Sequence, residues 1–252
     1  METLNLSKSY GFFKPEEVKE RIHIIGCGSV GSTVAELLAR FGLTKLSLYD
    51  FDKVEPKNLA NQLFRQEHVG KKKTTALADM LYEINPEMRD TIKVASHGYV
   101  AQRLSGYVFL CVDNIELRRE IATANKDNTY IKAMFDFRTR LTDAQHYAAD
   151  WSDMKMVDDF INSMNFSHEE AAEETPVSAC NVTLSVAPTI RIISALGVAN
   201  FVNFAKGAGL KKFIQRDYII EEGYQTRKHR QKGHLQYMYS STHNTHRHKG
   251  NG

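Results

Sequence analysis

The stretch Arg21-Ile22-His23-Ile24-Ile25-Gly26-Cys27-Gly28-Ser29-Val30-Gly31 sets an apolar, β-rich run directly before a G-x-G-x-x-G loop. The next residues, to Arg40, put Val30, Val34, Leu37, Leu38 and Phe41 on one side of a 3.6-residue period, with Gly42 as a stop. Strand, glycine loop and helix in that order are the context in which the motif has physical meaning. Glycine permits the tight turn and the close backbone approach, and the helix N-terminus offers unpaired N–H groups and positive potential to a phosphate. Asp50 closes the next expected strand, over 45–49, and stands 24 positions after Gly26, where a ribose hydroxyl partner is expected. Taken alone, the loop implies a nucleotide and nothing finer.

Outward from the loop the same alternation continues. A helix is expected over 74–84, closed by Asn85-Pro86, then strands over 91–95 and 107–112, a helix over 115–125 and a strand over 130–135. Residues 144–149 read as an antiparallel addition. Met156, Val157, Phe160, Ile161 and Met164 support a helix over 152–164, and the acidic, apolar-poor run 167–175 reads as a mobile crossover loop. A long helix is expected over 185–206, with Val186, Ile190, Ile193, Leu196, Phe201 and Phe204 on its apolar face and Pro188 tolerated in the first turn. Repeated βα units imply an α/β fold: a Rossmann-like, mainly parallel sheet with helices on both faces and antiparallel additions toward the C-terminus.

The composition suits one globular α/β unit. Hydrophobic residues at 42%, charged residues at 25%, 15 Gly and 5 Pro exclude collagen-like and mostly disordered classes. Cys27, Cys111 and Cys180 lie 84 and 69 positions apart, which gives neither a disulfide framework nor a paired-cysteine zinc site and points to a reducing, cytoplasmic setting. Residues 1–10 show no apolar h-region, so no export signal is expected. The apolar run 184–205 is broken by Pro188, Arg191 and two Asn and is not read as a membrane span.

The net charge of +3 is unevenly placed: beyond Glu222 there are six Lys or Arg and no acids, while the preceding residues carry 27 bases against 30 acids. Five of the ten His also fall in that last stretch. The expected division is therefore a folded domain over 1–225 and a basic, His-rich, disordered tail over 226–252, with no nucleic-acid role assigned to it.

The residues after Asp50 decide which nucleotide chemistry is meant. Asp50-Phe-Asp52-Lys-Val54 continues into Asn58-Leu59-Ala-Asn61-Gln62 and then Gly70-Lys71-Lys72-Lys73, and later Asp113-Asn114 precedes Arg118. A dehydrogenase has no use for this run of amides and lysines. Amides and a lysine can hold a triphosphate, and a carboxylate at the next strand end can bind Mg²⁺. In their order and spacing, the D-F-D-x-V, N-L-x-x-Q, G-x-x-K and D-N segments resemble the ThiF/MoeB/HesA family, the ubiquitin-activating-enzyme-like adenylyltransferases, over about residues 21–206. The resemblance implies that Gly26, Gly28 and Gly31 form the phosphate loop, Asp50 and Asp52 lie at the nucleotide, Asn58 and Gln62 face the phosphates, Lys73 is the phosphate lysine and Asp113 the Mg²⁺ ligand. It implies ATP and Mg²⁺ as cofactors, a small ubiquitin-like or sulfur-carrier protein as partner, and a homodimer. Cys180, ahead of the long helix, matches a downstream cysteine that serves as a covalent acceptor in some members.

Bland readings stand beside these. Lys73 could begin a solvated helix, Asp113 could cap the next one, and Cys27 and Cys111 fit small core positions better than nucleophiles. Three departures from the family pattern also matter. Asn61 stands where the family usually has Arg, with Arg65 one turn on as a substitute; the paired zinc cysteines are absent, so no zinc is expected; and the N-terminus offers only Lys8 and Lys14 where relatives supply an arginine across the dimer. The expected activity is ATP-dependent adenylation of a carboxylate with release of pyrophosphate. An NAD-dependent oxidoreductase and a non-catalytic scaffold of the same fold are the alternatives.

Overall fold

The glycine loop leaves from the middle of a seven-stranded sheet. In the computed structural model, which describes residues 3–166 and 185–217, the strands are β1 (Ile22–Ile25), β2 (Leu46–Tyr49), β3 (Lys93–Ala95), β4 (Gly106–Leu110), β5 (Ile131–Thr139), β6 (Asp143–Asp150) and β7 (Phe213–Asp217). Their spatial order is β3-β2-β1-β4-β5-β6-β7. The first five in that order are parallel, and β6 and β7 are antiparallel additions. The chain winds outward from β1 to β3 and then returns to the other side of β1 as β4, with Ile25 level with Leu110. That reversal opens a crevice beyond the carboxyl ends of β1 and β4, the place where open α/β sheets bind ligands.

Helices cover both faces. α1 (Ser29–Arg40), α2 (Lys73–Ile84) and α5 (Ala187–Ala205) lie on one face, and α3 (Ile115–Ala124) and α4 (Met154–Asn162) on the other. Alternate residues of one strand serve the two cores: Ile24 and Phe109 pack with Val34, Leu38, Leu77 and Phe201, whereas Ile25 and Leu110 pack with Ile121, Val157 and Phe160. This is why every residue of β1, β2 and β4 is buried, on both faces of the sheet. Phe109 and Phe135 stack at 4.7 Å between ring centroids, with Phe201 of α5 edge-on to both. By length and composition α5 could cross a bilayer; half of it is buried in the protein, and its Ile190, Ile193, Val198 and Phe201 belong to the core.

Most expected elements fall within two residues of their observed bounds. The larger differences lie at the antiparallel end. β5 runs to Thr139, four residues past its expected end, because its outer half pairs with β6 from Phe137↔His146 to Thr139↔Ala144. Asp136 and Arg138 masked that extension in the sequence. β7 was not anticipated; it is a largely exposed edge strand with only Ile214 buried, so it carries almost no hydrophobic signal. The crossover run 167–175, Cys180 and the tail over 226–252 with its boundary at 225 lie outside the described residues.

Candidate nucleotide site

The three glycines of the loop have different reasons to be glycine. Gly26 adopts φ +94°, and a Cβ there would lie 2.7 Å from the Cys111 carbonyl carbon and the Val112 nitrogen at the end of β4. A Cβ on Gly31 would meet the Gly26 carbonyl oxygen at 1.8 Å, so the first turn of α1 sits directly on the loop. At Gly28 the space is open, with Gln62 Nε2 the nearest atom at 3.9 Å. Two glycines are thus fixed by packing, and the middle one leaves a clear backbone surface. Gly28 is also the N-cap of α1 and supplies no side-chain cap, so the first N–H groups of the helix remain available to a ligand.

Asp50 ties this loop to the end of β2. Its Oδ2 accepts the Cys27 N–H at 2.8 Å and its Oδ1 accepts the Asp52 N–H at 2.8 Å. Each oxygen keeps acceptor capacity, so the carboxylate can shape the loop and still meet a ribose hydroxyl. Lys73 stands apart from its neighbours in the triple-lysine run. It is only 7% exposed, and its Nζ donates to Asp52 Oδ2 at 2.8 Å, while the backbone N–H of Lys73 donates to the Asp52 carbonyl at 3.0 Å. Lys71 is exposed, and Lys72 reaches the Phe51 carbonyl. The solvated-helix reading therefore fails for Lys73 and holds for Lys71.

The amide residues divide. Asn58 is buried, and its Oδ1 accepts the Glu55 N–H at 2.9 Å, holding the 3₁₀ turn Pro56–Ala60. Among the described residues Gln62 Oε1 is buried with no hydrogen-bond partner, and its Nε2 lies beside Gly28 at the loop. Asn61 donates to Ser185 Oγ at 2.9 Å, just ahead of α5. Arg65 is not brought to the site. Its guanidinium lies 3.8 Å from Glu67 and 3.5 Å from Glu83, beside a groove that also includes Glu36 and Arg40 at the far end of α1. Glu36 stands seven residues along α1 from Ser29, a rise of roughly 10 Å, so Arg65 cannot replace the cation missing at Asn61 without leaving these partners.

Asp113 comes just after β4, exposed, and its side chain has no hydrogen-bond or ion-pair partner among the described residues. The cap of α3 comes from Asn114, whose Oδ1 accepts the Leu117 N–H at 2.8 Å. The capping role open to Asp113 thus belongs to its neighbour. No group of three His, Cys, Asp or Glu converges among the described residues; one carboxylate combined with substrate phosphates is a normal Mg²⁺ environment.

Beneath Asp113 lies a buried charge cluster that sequence reasoning missed. Arg118 of α3 donates to the Val112 carbonyl, to Asp136 Oδ1 at 2.9 Å and to the Phe137 carbonyl at 2.6 Å. Arg138 donates to Asp136 Oδ2 at 2.8 Å and to Ser163. Burial alone would raise the Asp136 carboxyl, but the two guanidinium groups hold it below the ordinary carboxylate value. Arg191 of α5 was not singled out either: its Nη1 donates to Thr33 Oγ1 at 2.6 Å on α1. The only sequence signal for it was a lone charged residue inside an otherwise apolar helix. Burial pushes the Cys27 and Cys111 thiols well up, away from thiolate chemistry, as expected for core cysteines.

The strand order, the switch-point crevice and the glycine loop define a doubly wound Rossmann-like α/β protein. Within that class the chain belongs to the ThiF family, whose pattern it matches over residues 16–236. It is 38% identical over 129 residues to ubiquitin-like modifier-activating enzyme 5 of Bombyx mori, a match covering 43% of this chain and 32% of that protein. With the enzyme of the same name from Dictyostelium discoideum it shares 35% identity over 121 residues, 40% of this chain and 31% of the relative. The matches therefore span about a third of the length of these relatives. The solved structure of PaaA superposes with a TM-score of 0.58 at 17% identity, covering 82% of this chain and 63% of PaaA. E. coli MccB solved with ATP gives a TM-score of 0.52 at 17% identity, covering 81% of this chain and 64% of MccB. These structural likenesses bear on the fold alone.

Proposed function

We propose that this chain is an ATP-dependent adenylyltransferase that activates a carboxylate as acyl-AMP and releases pyrophosphate. The observation that carries the reading is the placing, around the switch-point crevice, of the open Gly28 backbone, the buried Lys73 with its half-exposed partner Asp52, and Asp113, whose side chain has no partner among the described residues. Membership of the ThiF family and the likeness to ubiquitin-like modifier-activating enzymes favour this over dinucleotide chemistry.

In the proposed reaction a carboxylate oxygen attacks the α-phosphorus in line, and the bond to the leaving pyrophosphate breaks as pyrophosphate takes the electron pair. The protein supplies position and charge rather than covalent chemistry. The α1 N-terminus and the Gly28 backbone bind phosphate oxygens, Lys73 turns from Asp52 to the phosphates, and Asp50 meets the ribose. Asp113 would hold Mg²⁺, which neutralises phosphate charge when bound. The substrate carboxylate is proposed to be the C-terminus of a small ubiquitin-like or sulfur-carrier protein, and the working unit a homodimer. Cys180 is the candidate thiol that takes the acyl group from the adenylate; its replacement by Ala would leave the first step intact.

The test is ATP–pyrophosphate exchange with candidate carriers that end in a free Gly-Gly carboxylate. Exchange that requires the carrier and disappears when its C-terminus is amidated supports the proposal. ATP binding without exchange for any carrier would instead make the chain a binding scaffold, and binding of NADH in place of ATP would return the site to dinucleotide chemistry.

A further inference from the structure

The family pattern puts a cation at position 61, and this chain has Asn there. Asn61 does not leave the place empty of structure: its amide ties the residue ahead of α5, Ser185, to the segment that carries Gln62. Beyond that link α5 packs against α1. Six residues beyond Ser185, Arg191 reaches across to α1 and donates to Thr33 Oγ1 at 2.6 Å, and the Thr33 hydroxyl donates in turn to the Ser29 carbonyl at 2.9 Å. Ser29 is the first residue of α1, so the guanidinium bonds α1 one turn in from its N-terminus, through a hydroxyl that itself reaches the first residue of the helix.

This is an unfavourable place for an unpaired cation. The N-terminus of a helix carries positive potential, α1 has no acidic residue in its first turn, and no carboxylate pairs with Arg191 among the described residues. A guanidinium has five N–H donors, and Thr33 takes one. Beside Gly28, Gln62 holds a buried Oε1 with no hydrogen-bond partner among the described residues. An anion at the α1 N-terminus would resolve the charge: it would meet the free donors of Arg191 and the open N–H groups of the helix together.

We propose that Arg191, supplied from α5, is the polyphosphate-binding cation of this chain, in place of one at position 61. The inference rests on the nucleotide reading of the crevice and assigns Arg191 to binding, through charge-assisted contacts to the phosphates beyond the first. The chain therefore discriminates ATP from AMP with a residue that its N-L-x-x-Q segment does not contain.

The experiment measures binding of ATP with Mg²⁺, of AMP and of adenosine by calorimetry in the wild-type chain, Arg191→Met, Arg191→Gln and the double variant Asn61→Arg/Arg191→Met. Loss of a hydrogen-bonded charge contact should weaken ATP binding about tenfold or more, with AMP affected less and adenosine least, and the added Asn61→Arg should recover a large part of the loss. Arg191→Gln removes the charge but keeps a polar side chain at the position; it is the variant to use if Arg191→Met does not fold, and it should show the same ATP-selective loss. Wild-type ATP binding that persists unchanged in a folded Arg191→Gln overturns this inference and leaves the nucleotide reading standing. An equal loss for ATP and adenosine overturns it as well, since that marks a structural role. A wild-type chain that binds no ATP removes both.

Discussion

Two ion pairs stand near the crevice and differ in how they are held. Lys73 is buried, but its partner Asp52 has 49% of its side chain exposed. Asp136 is fully buried, with Arg118 and Arg138 on its two oxygens and further donations from Arg118 to two backbone carbonyls. The first pair can exchange partners at small cost, because water can solvate Asp52 when Lys73 leaves. The second cannot, because releasing either arginine strands a charge away from water. A site that must both accept an incoming polyanion and keep its shape needs one pair of each kind. In the proposed site Lys73 is the cation that changes partner, and Arg118 fixes the Val112 carbonyl next to Asp113.

The largest effect should come from breaking the permanent pair. Asp136→Ala leaves the buried Arg118 and the partly buried Arg138 without their counter-ion and is expected to destabilise the chain by about 3–5 kcal/mol, read as a lowered denaturation midpoint in urea. A midpoint within experimental error of wild type would show that the cluster is solvated rather than sealed.

Acid should sharpen the same contrast. Burial holds His23 and His146 neutral, with values lowered to about 4, and His146 Nδ1 bonds the Asp136 carbonyl oxygen. A folded value below the unfolded value of about 6.5 means that unfolding takes up protons, so stability is complete above pH ~6.5 and falls as the pH drops toward ~4. The slope should reach about 1.4 kcal/mol per pH unit for each histidine, and His146→Gln should halve it. The Asp136 contribution has the opposite endurance, since its folded value lies below the usual carboxylate range and it is lost only as the pH falls through that lower value. Urea melts at pH 7, 6 and 5 that coincide would show that the two histidines titrate freely.

On the exchangeable pair the effect should appear in activity instead. Lys73→Ala is expected to keep its fold and lose on the order of 10²-fold in ATP–pyrophosphate exchange, as on removal of one preorganised donor, and Asp113→Ala should lose exchange without a change in melting temperature. The smallest effect is the control: Lys71→Ala should alter exchange by less than about twofold, since exposed lysines contribute little. Equal losses at Lys71 and Lys73 would replace the named lysine with a diffuse basic patch.

The parallel half of the sheet was legible because every device there is local. A strand, a glycine turn and an amphipathic helix each announce themselves within about a dozen residues, and β1, α1 and β2 appeared where expected. The places of the glycine loop between β1 and α1, of Asp50 after β2 and of Lys73 at the start of α2 were legible for the same reason. The antiparallel half depends on long-range pairing: β7 is read only against β6, and the length of β5 only against its hairpin partner. Arg118 and Asp136 escaped because burial of a charge leaves no local pattern; it depends on which helix lands on which strand. Arg65 was placed at the site by sequence proximity alone, and the path of the chain after Gln62 turns it toward Glu83.

The β6–β7 ladder also sets a schedule for synthesis. It pairs Tyr147 with Phe213 and Asp143 with Asp217, 66 and 74 residues apart along the chain. At translation rates of roughly 5–20 residues per second the partner of β6 emerges on the order of 3 to 15 s behind it. Until then β6 is the open margin of the sheet, with unpaired N–H and C=O groups, and the Nε2 of His146 still lacks its partner Asn200 on α5. The nascent chain thus passes through an interval in which its strands as far as β6 can form while one margin stays adhesive. Misassembly between neighbouring chains on a polysome should begin at that margin.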